Sequence, residues 1–450
     1  MQTATSDSEP ATRLRDRTDL MDLVNEERAH VSRRVYVDPE IYELEQERIF
    51  RRTWLFLAHE SELPQKGDYV ARNLAGEPVV LIRADDGVVR GFLNSCRHRG
   101  MRLCRADKGR IAVIRCSYHG WTYSKTGMLV SVFAKELYDS TRLRKEELGL
   151  IPITQLDSYK GMIFGSWSSE VAPLPEFLGH MRFYLDLYLG RTDAGTEVVG
   201  VPQVWDVASN WKFPTDNFTG DNFHLYSTHG SIVELGLVPP DPMSLSYGHL
   251  IRAEGGHVLH VVPGPPDPSF EYFGLPKELV PHLKRNLTEA QLNVAKKYAY
   301  SVGTVFPNLS FLQVMIQGDA DTPPTPFLSF RYWEPTGPTT TRVWSFLLID
   351  KEASPEYRKA SYETYARTFG PSGIFEQDDL ENWEECTRVN KGRIAQRYGL
   401  HHGMGVHLAP DRTFPGPGDA WSGSYGERTQ LAFYGEWQRW LTHQTPWIRK

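Results

Sequence analysis

Two short segments, Cys96-Arg97-His98 and Cys116-Ser117-Tyr118-His119, constrain this chain more than any other feature. Each brings one thiol and one imidazole, and 17 residues separate them. Two turns that each carry a sulfur and a nitrogen donor can close on a [2Fe–2S] cluster, with both sulfurs on one iron and both imidazoles on the other, the Rieske arrangement. Neutral imidazoles in place of two thiolates leave the cluster less negative, so its potential rises and it accepts electrons more readily. Structural zinc is the competing use of two Cys and two His. Zinc spacings usually pair Cys with Cys and then His with His, whereas here the two types alternate. The surrounding sequence consists of short apolar runs, Trp54–Ala58, Tyr69–Asn73, Pro78–Ile82, Val88–Leu93 and Ile111–Cys116, punctuated by Gly67, Gly76, Gly87 and Gly109. That pattern predicts a small all-β unit closing near Trp167.

At 450 residues the chain is long for one core and predicts two domains. Its four cysteines are too few for a disulfide framework. With Cys96 and Cys116 assigned to the cluster, Cys104 and Cys386 remain, which fits a reducing cytoplasm. The 50 basic and 56 acidic residues give −6, so no overall attraction to nucleic acid or anionic membrane is expected. Met1 to Asp19 has neither the apolar core of a signal peptide nor the acid-poor character of a transit peptide. No run reaches the ~20 apolar residues of a membrane span. The expectation is therefore a cytoplasmic protein with no nucleic acid and no membrane among its partners.

Residues 1–30 read as loosely attached. Asp38 as N-cap, Pro39 at the first helical position and the stripe Ile41, Leu44, Ile49 predict a helix from Pro39 to Arg52. Residues 172–190 read as a linker and a helix, and a mixed α/β region follows, with proline-rich loops at Pro239–Pro242 and Pro263–Pro268. Late helices are predicted over 355–369 and 374–397. No Gly-x-Gly-x-x-Gly opens a βαβ unit, and Gly403-Met404-Gly405 lacks the third glycine. Nicotinamide and flavin chemistry is thereby assigned to other proteins.

A second dense segment runs Asp216-Asn217-Phe218-Thr219-Gly220-Asp221-Asn222-Phe223-His224 and on to His229. On a regular helix, residues five apart point about 140° away from each other. His224 and His229 can share one ion only if the helix is distorted or ends between them, and Gly230 is compatible with an ending. Two His and one carboxylate on one face of an iron leave positions open for oxygen. Several carboxylates could complete such a set; the pair Asp378-Asp379 in the last predicted helix is one of them. Taken alone, two histidines are more often a cap and a surface group. A one-electron cluster upstream favours the metal reading, because an iron must be reduced before it binds oxygen.

Together these residues resemble the α subunit of a Rieske non-haem iron aromatic-ring-hydroxylating dioxygenase, over about residues 40 to 440. The stretch Arg367-Thr368-Phe369-Gly370-Pro371-Ser372-Gly373-Ile374-Phe375-Glu376-Gln377-Asp378-Asp379 is similar to the naphthalene and biphenyl dioxygenase branch. The resemblance implies an α+β fold: an all-β Rieske domain inserted into a catalytic domain with an antiparallel sheet flanked by helices. The expected division is 1–52 as an N-terminal part of the catalytic domain, 53–168 as the Rieske domain and 169–450 as the catalytic domain. It implies a cluster on Cys96, His98, Cys116 and His119, and a mononuclear Fe(II) on His224, His229 and Asp379, with Asp378 the neighbouring alternative. Asp221 matches an acidic residue expected to hydrogen-bond His224 and to bridge to His119 of a neighbouring subunit; alone it would be a turn Asp after Gly220. Asn217 matches a residue near the iron. The implied partners are a ferredoxin and a reductase that bring electrons from NADH, and a small β subunit in an α3β3 hexamer. O2 is the co-substrate.

The segment between the cluster half-sites carries Arg97, Arg99, Arg102, Arg105, Lys108, Arg110 and Arg115 against one acid, Asp107. A basic lobe on an acidic chain suits an acidic electron donor, although such charges can also be simply solvated. Apolar residues around the donors predict an uncharged pocket drawn from Leu225, Ile232, Val233, Leu235, Leu237 and Val238, then Val305, Phe306, Asn308 and Phe311, then Phe369 and Phe375, with the rest of this set ordinary core. Such a wall suits a polycyclic hydrocarbon, oxygenated to a cis-dihydrodiol. A ring carboxylate would want an inward Arg, and Arg252 and Arg331 are the candidates for that role. Two other activities use the same donors, a phthalate-type oxygenase and a Rieske monooxygenase or demethylase. A pure electron carrier would use the cluster alone.

Overall fold

The computed structural model describes residues 12–139, 143–237 and 246–448. Val238, Pro239–Pro242 and residues 1–11, on which expectations were placed, lie outside the described residues.

From Leu55 to Ser166 the chain forms three small antiparallel sheets. One has the order Val89–Leu93, Glu77–Arg83, Asp68–Leu74, Lys108–Arg110. Its hairpin closes through Ala75 at φ 53° and Gly76 at φ 80°. Two left-handed residues are what a two-residue type I′ turn requires, which explains Gly at the second position. A second sheet joins Leu129–Ser131, Thr122–Tyr123 and Ile114–Arg115, and a third joins Gln155–Tyr159, Met162–Ser166 and Leu55–His59. The predicted all-β unit is therefore present. Its distal end has a core of its own, in which Val80, Ile82, Phe92, Ile114, Trp121 and Tyr123 surround Cys96 and Cys116.

The rest is built on a nine-stranded antiparallel sheet. Thr196–Val198 and Gln203–Val207 both pair with Thr340–Asp350; the order then runs Thr325–Gly337, Leu309–Ile316, Tyr298–Val305, Val258–Pro263, His249–Arg252 and Asp419–Ser422. The helix Arg428–Leu441 packs on His249–Arg252 and Val258–Pro263, and Pro355–Phe369 packs on Thr325–Gly337. The architecture is the expected α+β one.

Three local expectations need correction. Residues 12–30 are not loosely attached: Leu14, Leu20, Leu23 and Val24 are buried, and Val24–Asn25 pairs with His30–Val31, which pairs with Leu400–His401. Long-range pairing partners supplied the order that local composition did not show. The first helix is α-helical over Pro39–Glu45 and then widens to a π turn over Gln46–Phe50. The last predicted helix runs Ile374–Asn390, and Ala395–Arg397 is a separate 3-10 turn beyond Gly392. Glycine's backbone freedom makes that position a weak place to continue a helix.

Candidate functional site: two sets of metal donors beside an apolar cavity

The two half-sites fold alike. In each, the Cys carbonyl accepts from a Gly N–H four residues on: Gly100 to Cys96 at 2.9 Å and Gly120 to Cys116 at 3.1 Å. In each, the Cys N–H donates to the residue five on, Met101 at 2.9 Å and Trp121 at 2.8 Å. Gly100 at φ 73° and Gly120 at φ 71° supply the left-handed turn that makes these loops possible. A glycine four residues after each Cys is the signal in the sequence that marks this repeat. The loops bring the His98 and His119 rings to 4.6 Å between centroids. Cys96 and Cys116 are buried and form no disulfide. Nδ1 of His98 and Nδ1 of His119 are both buried without a hydrogen-bond partner.

Orphaned nitrogens on both rings, beside two free thiols, fit a metal cluster: buried polar atoms otherwise find a partner. Burial, with His119 and Arg99 nearby, holds His98 below its ordinary value and so neutral, the form that ligates metal. Burial also pushes the Cys96 thiol up, so its thiolate needs a compensating positive charge. Trp121 stacks on His98 at 5.0 Å and 5°, and the Tyr123 hydroxyl lies 3.3 Å from Cys96 Sγ. All seven basic residues of this lobe are exposed, and only Arg110 forms an ion pair among the described residues, with Asp68 at 2.6 Å.

The second set of donors begins from a buried anchor. Glu45 receives Lys212 Nζ at 2.5 Å, Trp437 Nε1 at 2.8 Å and Trp211 Nε1 at 3.0 Å, which fixes the start of the helix Lys212–Asn217. Gly220, at φ 124°, then lets the chain press against Leu250 and His260, where a Cβ would lie 2.9 Å and 3.1 Å from their side chains. His224 caps a one-turn helix, Leu225–Thr228, and His229 ends it at φ −101°, ψ 33°. The next helix starts at once, Gly230–Glu234. The distortion expected between the two histidines is thus a break at His229 followed by a restart.

Ligand atoms of His224, His229 and Asp379 all lie within 4.8 Å of one another. Asp379 Oδ1 stands 3.4 Å from His224 Nε2 and 3.4 Å from His229 Nε2. The far nitrogens are held from behind. His229 Nδ1 faces Asp378 Oδ2 at 3.1 Å, and His224 Nδ1 faces the main-chain carbonyl of Asp221. With both Nδ1–H groups donating outward, both Nε2 lone pairs point at one place, which fits a single cation. Burial opposes a proton on His224, but the carboxylates of Asp221 and Asp379 outweigh it and push the imidazole up to about 9. A cation there takes the place of that proton.

Asp221 departs from expectation in one respect. Its carboxylate is 3.6 Å from His224 Nδ1, beyond hydrogen-bond range, and its own backbone carbonyl takes that role. Asp221 Oδ1 is left buried without a hydrogen-bond partner among the described residues.

His224, His229 and Asp379 open onto a cavity of about 440 Å3, which Asn217 and Asp221 also line. One wall is the sheet: Val262, Tyr300, Val302, Leu312, Val314 and Ile316. Leu225, Leu237, Phe369 and Phe375 line it as expected, the two Phe rings stacked at 5.0 Å and 12°. Ile232, Val233, Leu235, Val305, Phe306, Asn308 and Phe311 do not. Val233 packs beside Ile232 and Phe375 away from the opening. Phe306 stacks on Trp440 in the main core, and Asn308 is spent on the Trp333 carbonyl at 2.8 Å. The sheet wall was missed because an alternating apolar strand reads the same whether it faces a core or a cavity. Asp378, the neighbouring alternative ligand, stands behind His229, a place that spacing does not reveal.

Residues 53–140 match the Rieske [2Fe-2S] domain, and residues 196–443 match the ring hydroxylating alpha subunit (catalytic domain). The fold superposes on naphthalene 1,2-dioxygenase from Rhodococcus sp. bound to indole with a TM-score of 0.91 at 44% identity, covering 95% of this chain and 97% of that one. Biphenyl 2,3-dioxygenase subunit alpha of Rhodococcus jostii (strain RHA1) is 36% identical, over 94% of this chain and 91% of its own length. Benzene 1,2-dioxygenase subunit alpha of Pseudomonas putida is 33% identical, over 93% of each.

Proposed function

Because the chain belongs to the family of Rieske ring-hydroxylating dioxygenase α subunits, we propose that it adds both atoms of O2 to a neutral polycyclic arene, giving a cis-dihydrodiol. The observation that carries the substrate class is the cavity: no Lys or Arg lines it among the described residues, while its metal end carries Asp221 and Asp379. Arg252 is turned to Asp419 at 2.6 Å. Arg331 is buried against Glu376 and the Phe369 carbonyl. An aromatic acid would therefore bury its charge unpaired, at a cost of several kcal/mol. A flat hydrocarbon gains about 25 cal/mol per Å2 of apolar surface it buries. With electron-transfer partners supplied, turnover of naphthalene or phenanthrene should exceed that of phthalate or benzoate. Faster turnover of either acid would overturn the substrate class.

In this reading Cys96 and Cys116 hold one iron of the cluster and His98 and His119 the other. His224, His229 and Asp379 hold the mononuclear iron. When bound, these groups supply single electrons and an open metal face for dioxygen. The chain's own work is to place them and to keep water out. Phe369, Phe375 and the sheet wall hold the ring flat beside the donors. Asp378 keeps His229 in the tautomer whose Nε2 is free to ligate. Removing such a carboxylate usually weakens metal binding 10- to 100-fold. Asp378→Ala should do so here, by iron titration, with the Rieske EPR signal unaltered. An iron affinity equal to that of the parent would refute the role.

The finer partners follow the same reading. The exposed basic residues of the cluster lobe suit an acidic ferredoxin, itself reduced from NADH by a reductase, in the cytoplasm. Asp221 Oδ1, without a hydrogen-bond partner among the described residues, suits a donor from outside this chain, and His119 of a neighbouring α subunit is the one we assign, in an α3β3 assembly with a small β subunit. The division of the chain into 1–52, 53–168 and 169–450 is part of the same proposal. Iron analysis separates an oxygenase from an electron carrier: the oxygenase holds one iron per chain beyond those of its cluster.

A further inference from the structure

The strand Tyr298–Val305 turns Tyr300 and Val302 toward the cavity. Buried tyrosines elsewhere in this domain have partners for their hydroxyls. Tyr298 meets His249 Nδ1 at 3.0 Å, Tyr188 donates to Ser301 at 2.5 Å and Tyr365 to Ser345 at 2.6 Å. The Tyr300 hydroxyl has no hydrogen-bond partner among the described residues. His260, whose ring lies 6.1 Å away, does not serve: both its nitrogens are themselves unpartnered. A phenol keeps its proton at neutral pH, so Tyr300 remains a donor. It shares the cavity lining with His224, His229 and Asp379, and the carboxylates of Asp379 and Asp221 are its charged neighbours, at the metal end. Gln317, a polar group elsewhere in the lining, already donates its amide to the Thr322 carbonyl at 2.9 Å.

A pure hydrocarbon filling this cavity would strip water from the Tyr300 hydroxyl and offer nothing in return. Sites that bury a hydrogen-bonding group discriminate strongly in favour of ligands that satisfy it. We propose that Tyr300 is a specificity-determining donor, and that the preferred substrate is a neutral bicyclic or tricyclic arene bearing a hydrogen-bond acceptor, such as a ring nitrogen or a carbonyl, held beside the metal donors. The proposal rests on the arene-dioxygenase reading of the cavity and narrows it. The acceptor also sets which ring lies nearest His224, His229 and Asp379, so the group selects regiochemistry as well as affinity.

The test uses pairs of nearly equal shape: naphthalene with quinoline, at a pH where quinoline is neutral, and fluorene with 9-fluorenone. Equilibrium binding is measured on the protein carrying both cluster and iron, as the parent and as Tyr300→Phe. The parent should bind the acceptor-bearing member of each pair about tenfold tighter, the order expected for one buried neutral hydrogen bond. Tyr300→Phe should erase that preference by weakening the acceptor-bearing ligand and tightening the hydrocarbon. An equal effect on both members would mark a merely structural side chain and overturn the proposal, as would a parent protein that binds both members alike. Product analysis of the same pairs with electron donors keeps the two readings apart. A preference in binding that Tyr300→Phe erases, with no diol from any ligand, supports the donor and sinks the dioxygenase reading. Diols from both members at ratios the variant leaves unchanged sink the donor alone.

Discussion

Asp379→Ala should lose the mononuclear iron and all oxygenation while the Rieske EPR signal persists. Asp379 Oδ1 is the atom that faces both imidazoles, 3.4 Å from each Nε2. Among the described residues, Asp379 is the carboxylate that completes the donor set with His224 and His229. Alanine leaves two neutral nitrogens and no anion for a dication. Removal of groups that merely support a ligand costs 10- to 100-fold in affinity, so loss of the anionic ligand should exceed about 100-fold. Fold should survive, because among the described residues Asp379 makes no other ion pair and its helix, Ile374–Asn390, is anchored elsewhere. The Arg331–Glu376 pair holds its first turn, Asn382 meets Thr228 at 3.0 Å and Thr387 meets Ser209 at 3.1 Å. The informative comparison is with Asp378→Ala, which should retain iron at reduced affinity. If Asp378→Ala strips the iron and Asp379→Ala does not, the two acids have been assigned in the wrong order.

His98→Cys should shift the cluster's spectrum from Rieske toward plant-type and lower its potential. A third thiolate adds negative charge where a neutral imidazole stood. Rieske clusters lie at roughly −150 to +300 mV and plant-type clusters near about −400 mV, so the shift should be large and downward. The stacking of His98 on Trp121 is lost as well. Turnover with the physiological donor should fall, because electrons no longer run downhill into the cluster, whereas iron bound at His224, His229 and Asp379 should be unaffected. A Rieske signal at an unchanged potential in this variant would remove His98 from the ligand set.

The two metal sites differ in how far they could be read in advance. The cluster donors sit within turns of a few residues, and the rule that places them, Cys then His then Gly100 or Gly120, is local. His224 and His229 were equally visible, but their spacing only posed a question, since a regular helix would separate them. The answer is the break at His229, whose backbone leaves the helical region. Asp378 and Asp379 are adjacent on one helix and so point in different directions by about 100°. One turns inward to the donors and the other reaches the back of His229. Residue type could not separate them.

The cavity was the least legible part. Leu225, Phe369 and Phe375 were anticipated because they lie beside the donors in sequence. Phe306 and Asn308 are of the same chemical kind and were misplaced, since the strand and turn that carry them face Trp440 and Trp333. Tyr300 is illegible in the sequence for the same reason: nothing in its neighbours says that its hydroxyl lacks a partner. The sequence by itself determined the chemistry of the donors, because a cluster half-site is a contiguous turn and its residues carry their function wherever the turn is placed. The tertiary structure alone decided which carboxylate faces the imidazoles, which apolar side chains bound an empty volume and which hydroxyl is left open to it. A cavity is the space that remains when a nine-stranded sheet and distant helices have packed, and its walls come from residues that no local spacing connects.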